Sequence, residues 1–182
     1  MIPINMDEEL TYTDLFATPM WHVKKELPKG VYKWALEYKK KNPSNTTISN
    51  IGGYHSSPST DFYEIPYLDH IKESLYCLPK FHFNNWWINV QKKGDHNILH
   101  THPVADLSVI WYITDNHGSL HLDSPFQHTR FKLNKELNTP NGMHITSHAG
   151  NFIIFPSDLY HGVKPHTFRS PRISISMNLT LV

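Results

Sequence analysis

The sequence predicts an α+β protein in which helices near the N-terminus brace an antiparallel β-sandwich or barrel. Apolar residues recur at helical spacing ahead of Pro79, whereas short runs that alternate apolar and polar residues follow one another from Trp86 onward. The length of 182 residues is typical of one domain. We therefore expect a single domain over residues 1–182, with a helical and irregular part at 1–85 and a β core at 86–182.

Two helices are predicted in the N-terminal part. The first has an apolar stripe at helical spacing, made of Val31, Trp34, Ala35 and Tyr38. It is predicted to begin near Pro28 and to end in the lysines 39–41, whose charge suits a helix C-terminus. The second helix has a similar stripe and ends before Pro79; its apolar residues are Ile65, Leu68, Ile71, Leu75 and Leu78.

Two other N-terminal segments are predicted not to be helical. The apolar cluster at residues 15–21 predicts an edge strand that Pro19 interrupts. Residues 42–66 are rich in Asn, Ser, Thr, Pro and Gly, and they predict a long irregular loop. A loop of this length is either an active-site lid or a plain surface excursion, and composition does not separate the two.

The strands of the β core are predicted from alternation and from the turn residues between them. They fall at residues 86–91, 107–113, 118–122, 142–146, 151–156 and 172–181. Between the first two, the run Lys-Lys-Gly-Asp at 92–95 predicts a turn, and Gly150 predicts another ahead of residue 151.

The last strand alternates almost perfectly, and its two faces differ in chemistry. One face is apolar and consists of Ile173, Ile175, Met177, Leu179 and Leu181. The other face is polar and consists of Arg172, Ser174, Ser176, Asn178 and Thr180. Either the polar face meets solvent, or it lines the mouth of a barrel while helices cover the apolar face.

Composition excludes several classes of function. The formal charge of +1 gives no electrostatic basis for binding nucleic acid or an anionic membrane. A single cysteine, Cys77, excludes an internal disulfide and a cysteine-rich metal site. No apolar run approaches the length of a membrane span and no basic-then-apolar leader is present, so we expect a soluble protein that is not exported.

Three histidines form a candidate metal site. His100 and His102 are two residues apart, so in an extended chain their imidazoles share one face and can meet one ion. The best candidate for a third ligand is His161, which follows the strand at 151–156. Three nitrogen ligands on one side of an ion, with the other side open, are typical of non-heme iron enzymes.

With these residues and Arg172 in place, the sequence resembles the 2-oxoglutarate/Fe(II)-dependent oxygenases, and its prolyl-hydroxylase-like branch in particular. The resemblance is strong over residues 86–182 and faint before them. It rests on Trp87-x-Asn89, Gly94, His100-x-His102-Pro103, Ser108-x-x-x-Tyr112, Gly150-x-x-x-x-Phe155-Pro156-Ser157, His161 and Arg172-x-Ser174-x-Ser176-x-Asn178. This pattern is similar to uncharacterised members from marine bacteria and phages, as is the beginning Leu-Phe-Ala-Thr-Pro-Met-Trp at 15–21.

The resemblance implies a double-stranded β-helix (jelly-roll) barrel and a role for each matching residue. His100 and His161 are implied as iron ligands, and Arg172 is implied to bind the distal carboxylate of 2-oxoglutarate. A guanidinium suits this role because its planar fork matches a carboxylate. Ser174 is implied to donate a second hydrogen bond to that carboxylate, and Tyr112 matches a position that often contacts it. Asn89 and Asn178 are weaker candidates for contacts with co-substrate or substrate.

The second iron ligand departs from the family pattern. The usual motif is His-x-Asp/Glu, whereas this sequence has His102 at the third position. Imidazole is an acceptable Fe(II) ligand, which favours His100, His102 and His161 as the set. Two alternatives stay open: Asp106 in place of His102, and a site built on His121 and Asp123 with His161.

The activity implied by the resemblance is oxidative decarboxylation of 2-oxoglutarate to succinate and CO₂, coupled to hydroxylation of an unidentified substrate with O₂. The partners would be a small molecule or a protein side chain, without nucleic acid or membrane, in the cytoplasm of a bacterial or phage-infected cell. One alternative is a cupin-like three-histidine metal enzyme that does not use 2-oxoglutarate. The other is a non-catalytic jelly-roll binding or structural module.

Overall fold

The computed structural model describes residues 18–43, 45–115, 120–125 and 142–182. Within these ranges the chain forms two helices and eleven strands. Helix α1 is Val31–Lys41 and α2 is Leu68–Ser74, with a single 3₁₀ turn at Phe62–Glu64 between them. The strands are β1 (Trp21–Lys24), β2 (Asn50–Ile51), β3 (Tyr54–His55), β4 (Phe81–Gln91), β5 (His96–His100), β6 (Leu107–Tyr112), β7 (Leu120–Asp123), β8 (Gly142–Ile145), β9 (Asn151–Pro156), β10 (His161–Val163) and β11 (Arg172–Leu181).

The described strands form two antiparallel sheets. The large sheet has the order β1-β9-β6-β11-β4-β3, and the small sheet has the order β2-β5-β10-β7-β8. Strand β11 lies between β4 and β6 and pairs with β4 along its whole length, from Arg172 opposite Gln91 to Leu181 opposite Phe81. The polar face of this strand therefore has a fixed register against its neighbours.

The core has two parts, one on each side of the large sheet. On one side the helices cover its apolar face, where Val31, Ala35 and Ile71 pack with the inner residues of the sheet. On the other side a smaller cluster lies between the two sheets and includes Leu120 and Phe155. The molecule is thus layered as helices, large sheet and small sheet.

From Arg172 to Leu179 both faces of β11 are buried, which decides between the two interpretations of its alternation. Ile173 and Ile175 are fully buried under the helices. On the opposite face Arg172 is 2% exposed, and Ser174, Ser176 and Asn178 are also buried. The polar face therefore points toward the small sheet and not toward solvent.

The helices and most strands lie where the sequence predicts them. Helix α1 is confirmed, with the lysines 39–41 in its last turn, although it begins at Val31, after Gly30 in the left-handed region with φ of 89°. Helix α2 is shorter than its apolar stripe and ends at Ser74, because Leu75 already leaves helical geometry. Strand β4 begins at Phe81, five residues before the predicted start at Trp86.

Two predictions for the N-terminal part are wrong in detail. The edge strand β1 lies at Trp21–Lys24, after Pro19 and not across it, and residues 15–17 lie outside the described residues. Residues 42–66 are not one irregular loop, because β2 joins the small sheet and β3 joins the large sheet. The segment is therefore a strap that links one edge of each sheet. The strands predicted to form a sandwich or barrel form two facing sheets within the described residues.

In the part of the chain that the structure describes, no helix has the length and apolar character that crossing a membrane requires.

The packing between the helices and the large sheet can be tested by truncating one buried aliphatic side chain. Ile175→Ala should lower the free energy of unfolding by about 2–5 kcal/mol, because it opens a cavity beside buried neighbours. Ile51→Ala is the matched control: Ile51 is 50% exposed whereas Ile175 is 0% exposed. The control should change stability by less than about 0.5 kcal/mol in urea denaturation. Equal losses for the two variants would contradict the layered core.

Candidate active site

Three imidazoles meet between the two sheets. His100 ends β5 and His161 begins β10, and the two are directly opposite each other in the small sheet. His102 follows two residues after His100, so that its ring joins them: the ring centroids are 5.1 Å apart for His100–His102, 4.3 Å for His100–His161 and 4.9 Å for His102–His161. One possible ligand atom from each residue lies within 4.8 Å of the others.

The outer nitrogens of His100 and His161 are both held by backbone carbonyls. His100 Nδ1 donates to the Ile98 oxygen (2.8 Å), and His161 Nδ1 donates to the Leu159 oxygen (2.9 Å). A carbonyl oxygen can only accept, so Nδ1 carries the proton in both rings. The lone pair is then on Nε2, and this is how a protein orients a histidine that binds a metal.

His102 is oriented in the same way by side chains. Its Nδ1 lies 2.8 Å from Asn178 Oδ1 and 3.0 Å from Ser108 Oγ. Asn178 Nδ2 donates to Asn85 Oδ1, which fixes the amide oxygen toward the imidazole. Ser108 is also bonded to Ser157 Oγ. The Nε2 lone pair of His102 is therefore free as well.

Burial keeps the three rings neutral. Desolvation lowers the pKa of His161 to about 3 and the pKa of His102 to about 4, and it also lowers the pKa of His100. The neighbouring histidines add to the effect, since a charge on His100 opposes a charge on His161 and on His102. Neutral imidazole is the form that binds a metal.

This donor set fits a divalent transition metal. In each of the three histidines, Nδ1–H donates to an oxygen atom. The unprotonated Nε2 of each ring is then available as a ligand, and the possible ligand atoms of the three residues converge. Imidazole ligands suit iron, nickel, copper and zinc more than magnesium or calcium. Within the described ranges this is the one cluster of three or more His, Cys, Asp or Glu residues with such convergence.

Arg172 lies in the same cavity and is buried, and no carboxylate of the described residues forms an ion pair with it. Its Nε and Nη2 donate to Gln91 Oε1 (2.9 and 2.7 Å), and Nη2 also donates to the Lys164 oxygen (3.2 Å). Its Nη1 is buried and has no hydrogen-bond partner among the described residues. Burial lowers the pKa of Arg172 to about 10, so the group is still charged at neutral pH. An unpaired buried cation is costly, and an anionic ligand would remove that cost.

The cavity extends between the three imidazoles and Arg172. It has a volume of about 60 Å³, and both sheets contribute to its lining. Tyr112, Ser174 and Asn89, which the sequence analysis gave as candidate contacts for a co-substrate, are among the residues that line it. Asn89 Nδ2 donates to Ser176 Oγ (3.2 Å) and lies 3.5 Å from Ser174 Oγ. Because each hydroxyl accepts from the amide, its own proton remains available for an anion.

The structure does not support the alternative ligands. Asp106 accepts a hydrogen bond from the Leu181 amide (2.8 Å), and it is not among the residues whose ligand atoms converge. His121 and Asp123 bond to each other on β7, whereas Leu120 and Leu122 on the same strand point into the space between the sheets. Since side chains alternate along a strand, His121 and Asp123 lie on the outer face, opposite to His161.

Asn178 has a different position from the one predicted. It does not line the cavity and instead lies behind His102, and its Oδ1 accepts a hydrogen bond from His102 Nδ1. Sequence reasoning also missed Gln91 and His55, both of which line the cavity. The parity of Gln91 with Asn89 on β4 is a signal that could have identified it. His55 gave no signal, because it lies in the segment predicted to be a loop.

The comparison with protein families gives one match. The family model described as “Putative 2OG-Fe(II) oxygenase” matches residues 85–178, which is just over half of the chain. The matched range contains the three histidines and Arg172. No curated protein matches the chain.

Solved structures share the fold at low sequence identity. A prolyl hydroxylase from Trichoplax adhaerens, in complex with a hypoxia-inducible-factor peptide fragment, has a TM-score of 0.62 at 16% identity, with 88% of this chain and 83% of that chain covered. HygX from Streptomyces hygroscopicus, with nickel and 2-oxoglutarate bound, has a TM-score of 0.60 at 10% identity and coverages of 91% and 83%. A Pseudomonas putida prolyl-4-hydroxylase has a TM-score of 0.57 at 12% identity and coverages of 91% and 94%. These similarities confirm the predicted double-stranded β-helix.

The buried neutral histidines make stability depend on pH. As the pH falls below 6.5, the unfolded chain binds protons on these histidines while the folded chain does not, since its pKa values are lowered. The metal-free protein should therefore lose stability as the pH falls from 6.5 toward about 4, at about 1.4 kcal/mol per pH unit for His161 alone.

The measurement is urea denaturation in the presence of a chelator at several pH values. His161→Gln is the control, because it removes the ring with the largest downward shift in pKa. Its stability should fall less steeply with acid than that of the wild type. Parallel slopes for the two proteins would contradict a neutral, buried His161.

Proposed function

The chain belongs to the 2OG-Fe(II) oxygenase family, and on this premise we propose that it hydroxylates its substrate at an Fe(II) centre held by His100, His102 and His161. The family uses 2-oxoglutarate as co-substrate, and we propose that Arg172 binds its distal carboxylate. The single observation that carries the proposal is the buried guanidinium with an unpaired Nη1, in the same cavity as three unprotonated imidazole nitrogens.

Charge supports this arrangement. Histidine is the only type of side chain in the convergent ligand group, so the protein supplies no negative charge to a divalent ion there. Arg172 adds a further positive charge to the same cavity. A dicarboxylate such as 2-oxoglutarate would meet a positive group at each end. The departure from the usual His-x-Asp/Glu motif thus makes the cavity more favourable for a dianion.

Each residue around the co-substrate would have a separate role. Arg172 would hold the distal carboxylate through charge-assisted hydrogen bonds, and Ser174 would donate a second bond to it. Tyr112 lies directly opposite Ser174 on β6, within reach of the same carboxylate. Asn89 would keep the serine hydroxyls turned toward the ligand. Asn178 would act through His102 and not on the ligand itself.

The chemistry that bound Fe(II) supplies in this family is oxidative decarboxylation of 2-oxoglutarate coupled to oxidation of a substrate by O₂. The contribution of this chain is positional. Carbonyl and amide oxygens fix the tautomer and the plane of each imidazole. Trp87 and Phe155 line the cavity beside the histidines and reduce the access of water to it.

One rival function has a specific observation in its favour. A cupin-like enzyme that uses three histidines without 2-oxoglutarate would have the same ligand set. It gives no reason for a buried arginine with an unpaired nitrogen in the cavity, which is why we prefer the 2-oxoglutarate-dependent function. The family membership disfavours a non-catalytic jelly-roll module.

The substrate class stays open between a small molecule and a protein side chain. The similar structures are consistent with both, since one was solved with a peptide fragment and another with hygromycin B. We also keep the prediction of a cytoplasmic protein in a bacterial or phage-infected cell, without nucleic acid or membrane as partner. Cell fractionation would test the location.

Titration of the metal and the co-substrate tests the proposed function directly. Anaerobic addition of Fe(II) and then 2-oxoglutarate should produce a weak visible charge-transfer band, because the co-substrate's keto and carboxylate oxygens bind the same ion. Under air the protein should form succinate, and His100→Ala should abolish both signals. Absence of the band together with absence of succinate would refute the assignment.

Replacement of Arg172 tests the carboxylate site. Arg172→Lys should weaken 2-oxoglutarate binding roughly 10- to 100-fold, since a lysine offers a point charge where the arginine offers a planar fork. Binding of the metal should not change. Arg169→Lys is the matched control, because Arg169 is exposed and does not line the cavity. Calorimetric titration of 2-oxoglutarate measures both variants, and unchanged affinity in Arg172→Lys would remove Arg172 from this role.

A further inference from the structure

A line of polar side chains leads from Arg172 across to the small sheet. Gln91, the last residue of β4, lies directly opposite Arg172 and accepts from its Nε and Nη2. Gln91 Nε2 donates to Asn97 Oδ1 on β5 (2.7 Å). Asn97 Nδ2 then donates to Ser49 Oγ (3.1 Å), just before β2. The line thus ends in the strap that links the edges of the two sheets.

The arginine fixes the direction of every bond in this line. A guanidinium can only donate, so Gln91 must turn its oxygen toward Arg172 and its nitrogen toward Asn97. Asn97 must then present its oxygen to Gln91 and its nitrogen to Ser49. The amide orientations are therefore set by the chemistry of the partners at one end of the line.

The acceptor beside the guanidinium is neutral. Among the described residues no carboxylate lies within 4.0 Å of Arg172. Asp95 is the carboxylate that acts on Arg172 through charge, and its Oδ2 accepts from the Lys92 amide. Gln91 is 4% exposed, so water does not replace it as the partner of Nε and Nη2. The guanidinium is held in place while its charge stays unneutralised.

We propose that Gln91 is a positioning residue that orients Arg172 without neutralising it, so that the charge remains available for a carboxylate of the bound co-substrate. The proposal rests on the proposed role of Arg172 in binding 2-oxoglutarate. It predicts that the neutral state of the carboxamide, and not only its shape, is required at this position. A glutamate of the same size would form a bidentate ion pair with the guanidinium and compete with the ligand.

Gln91→Glu tests the effect of charge at nearly constant side-chain shape, because the hydrogen bonds among Gln91, Asn97 and Ser49 can rearrange around a carboxylate. The introduced carboxylate can still accept from Nε and Nη2 of Arg172. If the Asn97 amide turns over, its nitrogen donates to the second carboxylate oxygen and its oxygen accepts from the Ser49 hydroxyl. No buried polar atom in the line loses its partner, so the folded state of the variant is not penalised.

The experiment uses the full chain with Ni²⁺ as a metal that does not turn over. Calorimetric titration gives the affinity for Ni²⁺ and then for 2-oxoglutarate, and a thermal melt gives the stability without metal or ligand. For Gln91→Glu we expect 2-oxoglutarate to bind about 10- to 100-fold more weakly. The Ni²⁺ affinity should not change, and the melting temperature should stay equal or rise, since the buried cation is now paired.

Two variants complete the test. Gln91→Leu removes the acceptor and should lower both the 2-oxoglutarate affinity and the melting temperature. Asn84→Asp adds the same charge on β4, away from Arg172, and should leave the 2-oxoglutarate affinity unchanged. If Gln91→Glu keeps the wild-type affinity, or if its affinity falls only together with its melting temperature, the inference is overturned. If the wild type itself does not bind 2-oxoglutarate, it is the proposed function that fails.

Discussion

The burial of both faces of β11 is the constraint on which the site depends. Its apolar face packs under the helices, which frees the opposite face to carry polar groups toward the small sheet. Those groups cannot reach bulk water, so each must find a partner within the protein or lose free energy. Asn178 forms a hydrogen bond with His102, and Arg172 forms one with Gln91. The network around the cavity follows from this need for partners.

The same strand connects the two ends of the cavity. Near the C-terminal end of this strand, Asn178 fixes the ring plane of His102, and the first residue of the strand is the buried cation Arg172. The register against β4 is continuous from Arg172 to Asn178, and the register against β6 is continuous from Ser174 onward, so the distance between the two ends is set by backbone pairing. A rigid strand is a suitable base for the proposed site, which would hold both ends of one small ligand.

The sequence was informative where strand periodicity is strict. His100 and His102, or Arg172 and Ser174, share a face because side chains alternate, and that relation holds in any extended chain. The meeting of His161 with His100 was predicted from the family resemblance and from its position after a strand. The fold class could likewise be predicted, since helical spacing gives way to alternation at a definite point in the chain.

Other features depend on register between strands, which no single strand reveals. Gln91 is important because it lies opposite Arg172, and the pairing of β4 with β11 cannot be predicted from the sequence of either strand alone. Strands of two residues, such as β2 and β3, contain too little alternation to be detected, so His55 was hidden in a predicted loop. Alternation also could not tell that His121 and Asp123 face outward, because it does not say which face is inside.

The all-imidazole ligand group has a consequence for metal supply. Divalent ions bind nitrogen, oxygen and sulfur ligands in the Irving–Williams order, in which Ni²⁺ and Cu²⁺ bind more tightly than Fe²⁺, and Zn²⁺ also competes well. Three imidazoles would therefore not select iron by affinity. If these histidines hold the metal as proposed, the free concentrations in the cell would decide which ion binds, and zinc excess or iron starvation would leave the site filled with zinc, which performs no redox chemistry.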